Sequence, residues 1–166
     1  MKVHFFFIGL VAIFCENTLS QQLSAAETLE GILTTLSGAL NLAKNLPKTI
    51  ESVRQFQLVE EINLVREITD VVLSSLNATS LAIGNLAASV DVSSNSAKMN
   101  AIADIQSAEQ SLALPVVQLQ QTLQEINDKG MTLALNIRLE LLEKTLRESA
   151  AKVQSEVAKA DRVRFK

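Results

Sequence analysis

Residues 58–90 are LVEEINLVREITDVVLSSLNATSLAIGNLAASV, and their apolar side chains recur at alternating steps of four and three residues. This heptad pattern is typical of helices that pack side by side along an apolar seam. Residues 102–126 repeat it, so the sequence predicts an all-α fold with two long helices in contact. The predicted seam consists of Leu58, Ile62, Val65, Val72, Leu76, Ile83, Leu86, Ile102, Ile105, Leu112, Val116, Leu119, Leu123 and Ile126.

The helix boundaries follow from the few helix breakers in the chain. Pro47 suits the first turn of a helix, and Gly130 suits the left-handed position after one. The predicted helices span about 24–46, 48–90, 96–128 and 131–162. We expect them to form an antiparallel bundle of about four long amphipathic helices with coiled-coil-like packing, as one domain over residues 21–166. Breaks near 77–84 and at Pro115 would raise the number of helices to five or six.

The segment from Leu133 to Leu141 carries more apolar side chains than one helix face needs. Its alternation of leucine and isoleucine with other residues would, taken alone, indicate a strand. Its leucine, alanine, arginine and glutamate content favours a helix, and a helical stripe continues after it. The sequence therefore predicts a helix whose additional apolar face is deeply buried between its neighbours.

The first twenty residues have the form of a secretory signal peptide. Lys2 precedes the apolar run FFFIGLVAIF at 5–14, which is too short to cross a bilayer, and the chain becomes polar at Glu16. We expect residues 1–20 to be removed and the protein to be secreted and extracellular; a cut after Cys15 and a buried N-terminal segment are the alternatives. No later segment is predicted to span a membrane. In a secreted chain, Asn77-Ala78-Thr79 is an acceptor site for N-glycosylation, which makes the product a glycoprotein.

Removal of the signal peptide would leave little catalytic chemistry. His4 and Cys15 are the only histidine and cysteine, and the chain has no tryptophan or tyrosine. A general base, a thiol nucleophile and the commonest ligand of transition metals would be lost together. The carboxylate pairs on the helices, such as Glu140 and Glu143, have lysine or arginine nearby and indicate solvated ion pairs. We therefore predict no enzymatic activity, no metal site and no cofactor.

Two residues break the pattern of the predicted third helix. Glu109 occupies a seam position, and Pro115 lies inside the helix, where it removes a backbone hydrogen bond and favours a kink or a hinge. We expect Glu109 to lie near a helix end or to reach solvent beside that kink; the alternative is a buried functional carboxylate.

The remaining signal for function is the amphipathic character of the helices. The two seams favour a non-enzymatic protein that acts by binding a protein partner, or by self-association, through helix faces. The weakly charged amphipathic segments at 29–46 and 81–92 favour the alternative, a carrier or surface binder of lipids or lipophilic small molecules, or a membrane-active helical protein. The net charge of −3 argues against nucleic acid as a partner.

Overall fold

The computed structural model describes residues 25–89 and 96–162. Within these ranges the chain forms five helices, α1 (Ala25–Ala43), α2 (Leu46–Phe56), α3 (Val59–Ser89), α4 (Ser96–Lys129) and α5 (Leu133–Ala160), and no strand. The prediction of an all-α bundle is therefore confirmed. The predicted signal peptide at 1–20 lies outside the described residues.

Cross-helix hydrogen bonds show that successive long helices run antiparallel. Gln120 on α4 donates to Asp70 on α3 at 2.8 Å, and the six residues between Ser89 and Ser96 are too few to return along the bundle, so α3 and α4 run antiparallel. Arg138 on α5 donates to Glu125 at 2.6 Å and Lys152 donates to Ser111 at 2.8 Å, so residue numbers rise along α5 as they fall along α4.

The helices close around one core. α1 packs along α3, α3 along α4, α4 along α5, and α5 against both α2 and α1. The largest fully buried side chains come from all five helices, and they are aliphatic: Ile32, Leu36, Leu46, Ile50, Leu76, Leu86, Ile105, Leu112, Leu119, Leu123, Leu139 and Leu146. Burial of this aliphatic area from water is the main force that holds such a bundle together.

The second predicted helix, 48–90, is wrong in one respect: it is two helices. α2 ends at Phe56, and Gln57 adopts a left-handed backbone conformation with φ 52°, from which its N–H donates to the Val53 carbonyl. This conformation closes the end of α2 and turns the chain into α3 at Val59. The sequence gives no hint of this break because glutamine seldom takes that conformation.

The two breaks that the sequence did predict are absent. α3 runs through residues 77–84, where Gly84 and the polar side chains are accommodated within the helix. α4 runs through Pro115, whose side chain is buried. Because proline has no N–H, the carbonyl of Ser111 lacks the amide partner that the residue four positions later normally provides, but the helix is not split there.

Candidate functional site: an apolar end and a buried carboxylate

The predicted seams lie inside the bundle. All the seam residues of α4 are buried, as are those of α3 from Val65 to Leu86. Ile62 is half-buried against the core, and Leu58 is 54% exposed. The assignment of Leu58 to the seam is therefore wrong, because the break at Gln57 leaves it in the turn before α3 rather than on the helix. The two seams therefore pack against other helices of the same chain.

The expectation that Glu109 reaches solvent is also wrong. Its side chain lies within α4, away from either helix end, and only 4% of the residue is exposed. Its Oε2 atom is buried and has no hydrogen-bond partner. Burial raises the pKa of Glu109 above the ordinary value of 4.5, because the surrounding apolar core disfavours the charged form.

The part of α3 that Glu109 faces has no cation that could neutralise its carboxylate. Glu109 precedes Gln120 by eleven residues, about three helical turns, so both lie on the side of α4 that faces α3. Gln120 contacts Asp70. Because α3 and α4 are antiparallel, eleven residues back along α4 from Gln120 correspond to eleven residues forward along α3 from Asp70. Glu109 is therefore level with about residue 81 of α3. Residues 71–89 of α3 contain no charged side chain.

A polar cluster joins α2 to α5. Arg54 donates to Asn136 at 3.0 Å, to Glu140 at 2.7 Å and to Glu143 at 3.3 Å. Glu143 also accepts from Arg147 at 2.8 Å. The half-buried guanidinium is thus held by three acceptors on one face of α5. The cluster is an ion-pair network that fixes α2 on α5, and its carboxylates are already occupied by arginine.

The additional apolar face at 133–141 is not buried, which contradicts the prediction. Leu135 and Leu139 face the core, but Leu133, Ile137 and Leu141 are 79%, 50% and 61% exposed. These three residues, which we call the α5 stripe, are spaced four residues apart and so lie on one face of the helix. The sequence identifies a helix with two apolar faces here, but it cannot say that only one of them has a neighbour.

Exposed apolar residues gather at one end of the bundle. The contacts of Arg54 with α5 place the α2–α3 turn and the start of α5 at the same end. Of the ten large exposed hydrophobic residues in the described ranges, seven lie near this end. They form what we call the apolar end: Phe56, Leu58, Val59, Leu64, Leu133, Ile137 and Leu141. A concentration of exposed apolar side chains of this kind is a candidate interaction surface.

A shallow groove between α4 and α5 borders the α5 stripe. It encloses about 380 Å³ and combines apolar and polar side chains. Leu141 belongs to both the groove and the stripe, while Arg138 at the rim is paired with Glu125. The groove is lined by Gln118, Gln121, Thr122, Arg138, Leu141, Leu142 and Thr145.

A second notable surface is defined by its lack of charge. No charged residue occurs in 31–43 of α1 or in 71–89 of α3, and these two helices pack along each other. Asn77 lies on this side with its side chain exposed, so the predicted glycosylation site is accessible in the folded protein. Thr79 of the same motif is buried and donates to the Ser75 carbonyl at 2.9 Å.

Helix α3 is also the one helix in the described ranges that is long and apolar enough to meet a criterion for a membrane span. The segment Val59–Ala88 is long and apolar enough to cross a membrane by length and composition: its most apolar stretch of 18 residues has a mean hydropathy of 1.4, and 39% of that stretch is buried. The core helix of a soluble bundle meets the same criterion. The expectation that no segment spans a membrane therefore stays a prediction. Within the described ranges, no group of three or more carboxylates could hold a metal ion.

Comparison with known proteins adds nothing to these observations. No protein-family model matches the chain, no curated protein matches it, and no solved structure is similar to it. The arguments for function therefore depend on the surfaces described above.

Proposed function

We propose that this chain is a secreted, non-enzymatic binding protein that associates with a protein partner, or with itself, through exposed helix faces at the apolar end. One observation carries the proposal: of the ten large exposed hydrophobic residues in the described ranges, seven lie in the half of the bundle that contains the α2–α3 turn and the start of α5. Single exposed leucines are normal on soluble proteins, but a concentration of them is unfavourable in water unless something covers it.

The chemistry of the described residues supports a role in binding. His4 and Cys15 both lie outside the described ranges. Arg54 and Arg147 engage Glu140 and Glu143. Glu109 is enclosed by the core and faces a charge-free part of α3. An enzyme would need a reactive group at an accessible site, whereas the accessible feature at the apolar end is apolar surface.

Native mass spectrometry of the protein secreted from eukaryotic cells tests the proposal. We expect the mass of a complex, either of several copies or with another protein, after cleavage near residue 20. Replacing Phe56 and Leu133 by serine should shift the population toward a single copy. The same replacement of Leu81 and Leu114, which are exposed elsewhere, is the matched control. A single unaccompanied copy under all conditions would contradict the proposal.

Binding of lipids or lipophilic small molecules is the second candidate function. The charge-free surface of α1 and α3 and the hydropathy of α3 favour it, because burial of aliphatic area drives such binding without charged groups. The absence of tryptophan from the sequence and of lysine from these two helices argues against strong membrane binding. Two assays distinguish the candidates: flotation with phosphatidylcholine vesicles, and native mass spectrometry for bound lipid. A protein that neither floats with the vesicles nor carries lipid would rule out the lipid-binding function.

Glycosylation at Asn77 is part of the same proposal. Its exposed side chain on α3 could carry a glycan without disturbing the core. Treatment with an enzyme that removes N-linked glycans should lower the mass of the secreted protein. The variant Asn77→Gln should already have the lower mass, and an unchanged wild-type mass would contradict glycosylation.

A further inference from the structure

Helix α3 offers the buried carboxylate of Glu109 neither a cation nor a hydrogen-bond donor. The Oε2 atom of Glu109 is buried without a partner, and it lies level with a part of α3 that has no charged side chain. The nearest buried hydroxyl along α3 is that of Thr79, which donates its proton to the Ser75 carbonyl at 2.9 Å. A hydroxyl used in this way can only accept a further hydrogen bond. It therefore suits a protonated carboxyl group and not a carboxylate.

Helix α5 does not supply a cation to Glu109 either. Lys152 contacts Ser111, so Glu109 is level with a point about two residues beyond Lys152 on the antiparallel α5. Of the charged groups around this point, Glu156 and Lys159 pair with each other at 2.8 Å. Lys152 is held at 2.8 Å by Ser111, which follows Glu109 by two residues and so points to nearly the opposite side of α4.

The other helices in question, α4 itself and α1, add no cation near Glu109. The charged residue closest to it in the sequence of α4 is Asp104, whose side chain is exposed. Helix α1, which packs along α3, contains Glu27 and Glu30 but no lysine or arginine. Burial raises the pKa of Glu109, and no opposite charge on these elements offsets that effect.

We propose that Glu109 is a pH-sensitive latch between α3 and α4. In the protonated form the carboxyl group stays in the apolar seam and the two helices remain in contact. In the ionised form the carboxylate requires water, because a buried charge without a partner is strongly unfavourable. The stretch of α3 around residue 81 then moves away from α4 to admit that water. This inference goes beyond the proposed function and does not depend on a partner at the apolar end.

The contacts of α4 indicate that α3, rather than α5, is the helix that moves. The hydrogen bond from Lys152 to Ser111 holds α5 on α4 within two residues of the buried carboxylate. The hydrogen bond from Gln120 to Asp70, which joins α3 to α4, lies eleven residues away from it. In 78–88 of α3, six of the eleven residues are alanine, glycine or serine, so a local separation exposes less apolar area than a run of leucines would.

Hydrogen–deuterium exchange of the protein secreted from eukaryotic cells, between pH 4 and pH 8, tests the latch. Each rate is divided by the rate of an unstructured peptide at the same pH. In the wild type, protection in 78–87 and 104–112 should fall as the pH rises above 4.5 and level off above the raised pKa of Glu109. The slope should not exceed about tenfold per pH unit, because opening releases one proton. Protection in 119–126 and 139–146, where α4 contacts α5, should stay constant.

Three variants isolate the carboxylate of Glu109. Glu109→Gln and Glu109→Leu cannot ionise, so protection in the two α3 and α4 segments should not change with pH in either variant. The leucine variant keeps the test available if the glutamine variant folds poorly. Asp104→Asn, the matched control, removes an exposed carboxylate from the same helix and should retain the pH dependence of the wild type.

Three results would overturn the latch. They are protection in the wild type that does not change with pH, a loss of protection that is equal in all the helices, and a loss that persists in Glu109→Gln. An equal loss everywhere would show that ionisation acts on global unfolding and not on one contact. None of these results bears on binding at the apolar end. Conversely, a protein that is always a single unaccompanied copy would contradict the proposed function and leave the latch standing.

Discussion

The buried carboxylate of Glu109 leads to a specific prediction about stability and pH. The pKa of Glu109 is raised above 4.5 in the folded protein, and in the unfolded chain it returns to the ordinary value. Well below pH 4.5 the group is protonated in both states and imposes no charge penalty. As the pH rises, the unfolded chain releases its proton first, so the folded state loses stability until the pH exceeds the raised pKa.

The substitution Glu109→Gln isolates this effect, because glutamine is similar in shape and carries no charge. The free energy of unfolding of the variant minus that of the wild type should increase with pH above 4.5. Its slope should not exceed about 1.4 kcal/mol per pH unit, and it should level off above the raised pKa.

The substitution Glu109→Leu tests how much the unpaired buried oxygen costs in stability. It removes a buried oxygen without a partner, a defect that costs about 1–3 kcal/mol, and replaces it by a side chain suited to the aliphatic core. We expect the variant to be more stable than the wild type by about 2 kcal/mol at pH 4, and by more at pH 8.

Urea unfolding followed by circular dichroism, between pH 4 and pH 8, provides the measurement for both variants. Two results would refute the reasoning. One is a Glu109→Gln difference that stays constant or decreases with pH, and the other is a Glu109→Leu variant less stable than the wild type at pH 8.

Three further predictions concern the ends and contacts of the helices. Gln57→Gly should raise the free energy of unfolding by up to about 1 kcal/mol, since glycine adopts the left-handed conformation without strain, whereas Gln55→Gly within α2 should lower it by a similar amount. Arg54→Ala should lower the free energy of unfolding by about 1–2 kcal/mol, because it leaves the largely buried carboxylate of Glu143 without its partner on α2. Arg138→Ala, in a more exposed ion pair, should lower it by less than about 1 kcal/mol. Thr132→Ala should cost about 1 kcal/mol, because the threonine side chain accepts from a backbone N–H at the start of α5.

Thermal or urea unfolding at pH 7 checks all three. Equal effects of the two glycine substitutions would contradict the role of the left-handed turn. Equal effects of the two arginine substitutions would contradict the greater importance of the α2–α5 cluster, and an unchanged midpoint for the threonine variant would contradict the cap.

Much of the bundle could be predicted from periodicity because its core is aliphatic and regular. Val65, Val72 and Leu76 follow a heptad pattern and are buried as expected. Pro47 begins a helix and Gly130 follows one, as their backbone preferences indicate. These local signals need no knowledge of the rest of the chain.

The features that the sequence missed depend on tertiary context. Gln57 ends a helix although glutamine is a good helix former, so the break reflects how α2 and α3 pack rather than local preference. Ile137 lies on an apolar face that has no neighbour, and a single sequence does not reveal how many neighbours a helix has. The burial of Glu109 likewise depends on how closely α3 approaches α4, because its local pattern shows only a carboxylate in an apolar series.

The uneven distribution of charge has a consequence for the response to ionic strength. The stretches 31–43 and 71–89 contain no charge, whereas ion pairs connect α5 to α2 and to α4. Dissolved salt screens exposed ion pairs and strengthens the burial of apolar surface when the anion is sulfate or phosphate. Sodium chloride should therefore speed amide hydrogen exchange mainly along α5, while ammonium sulfate should slow it mainly where α1 lies on α3.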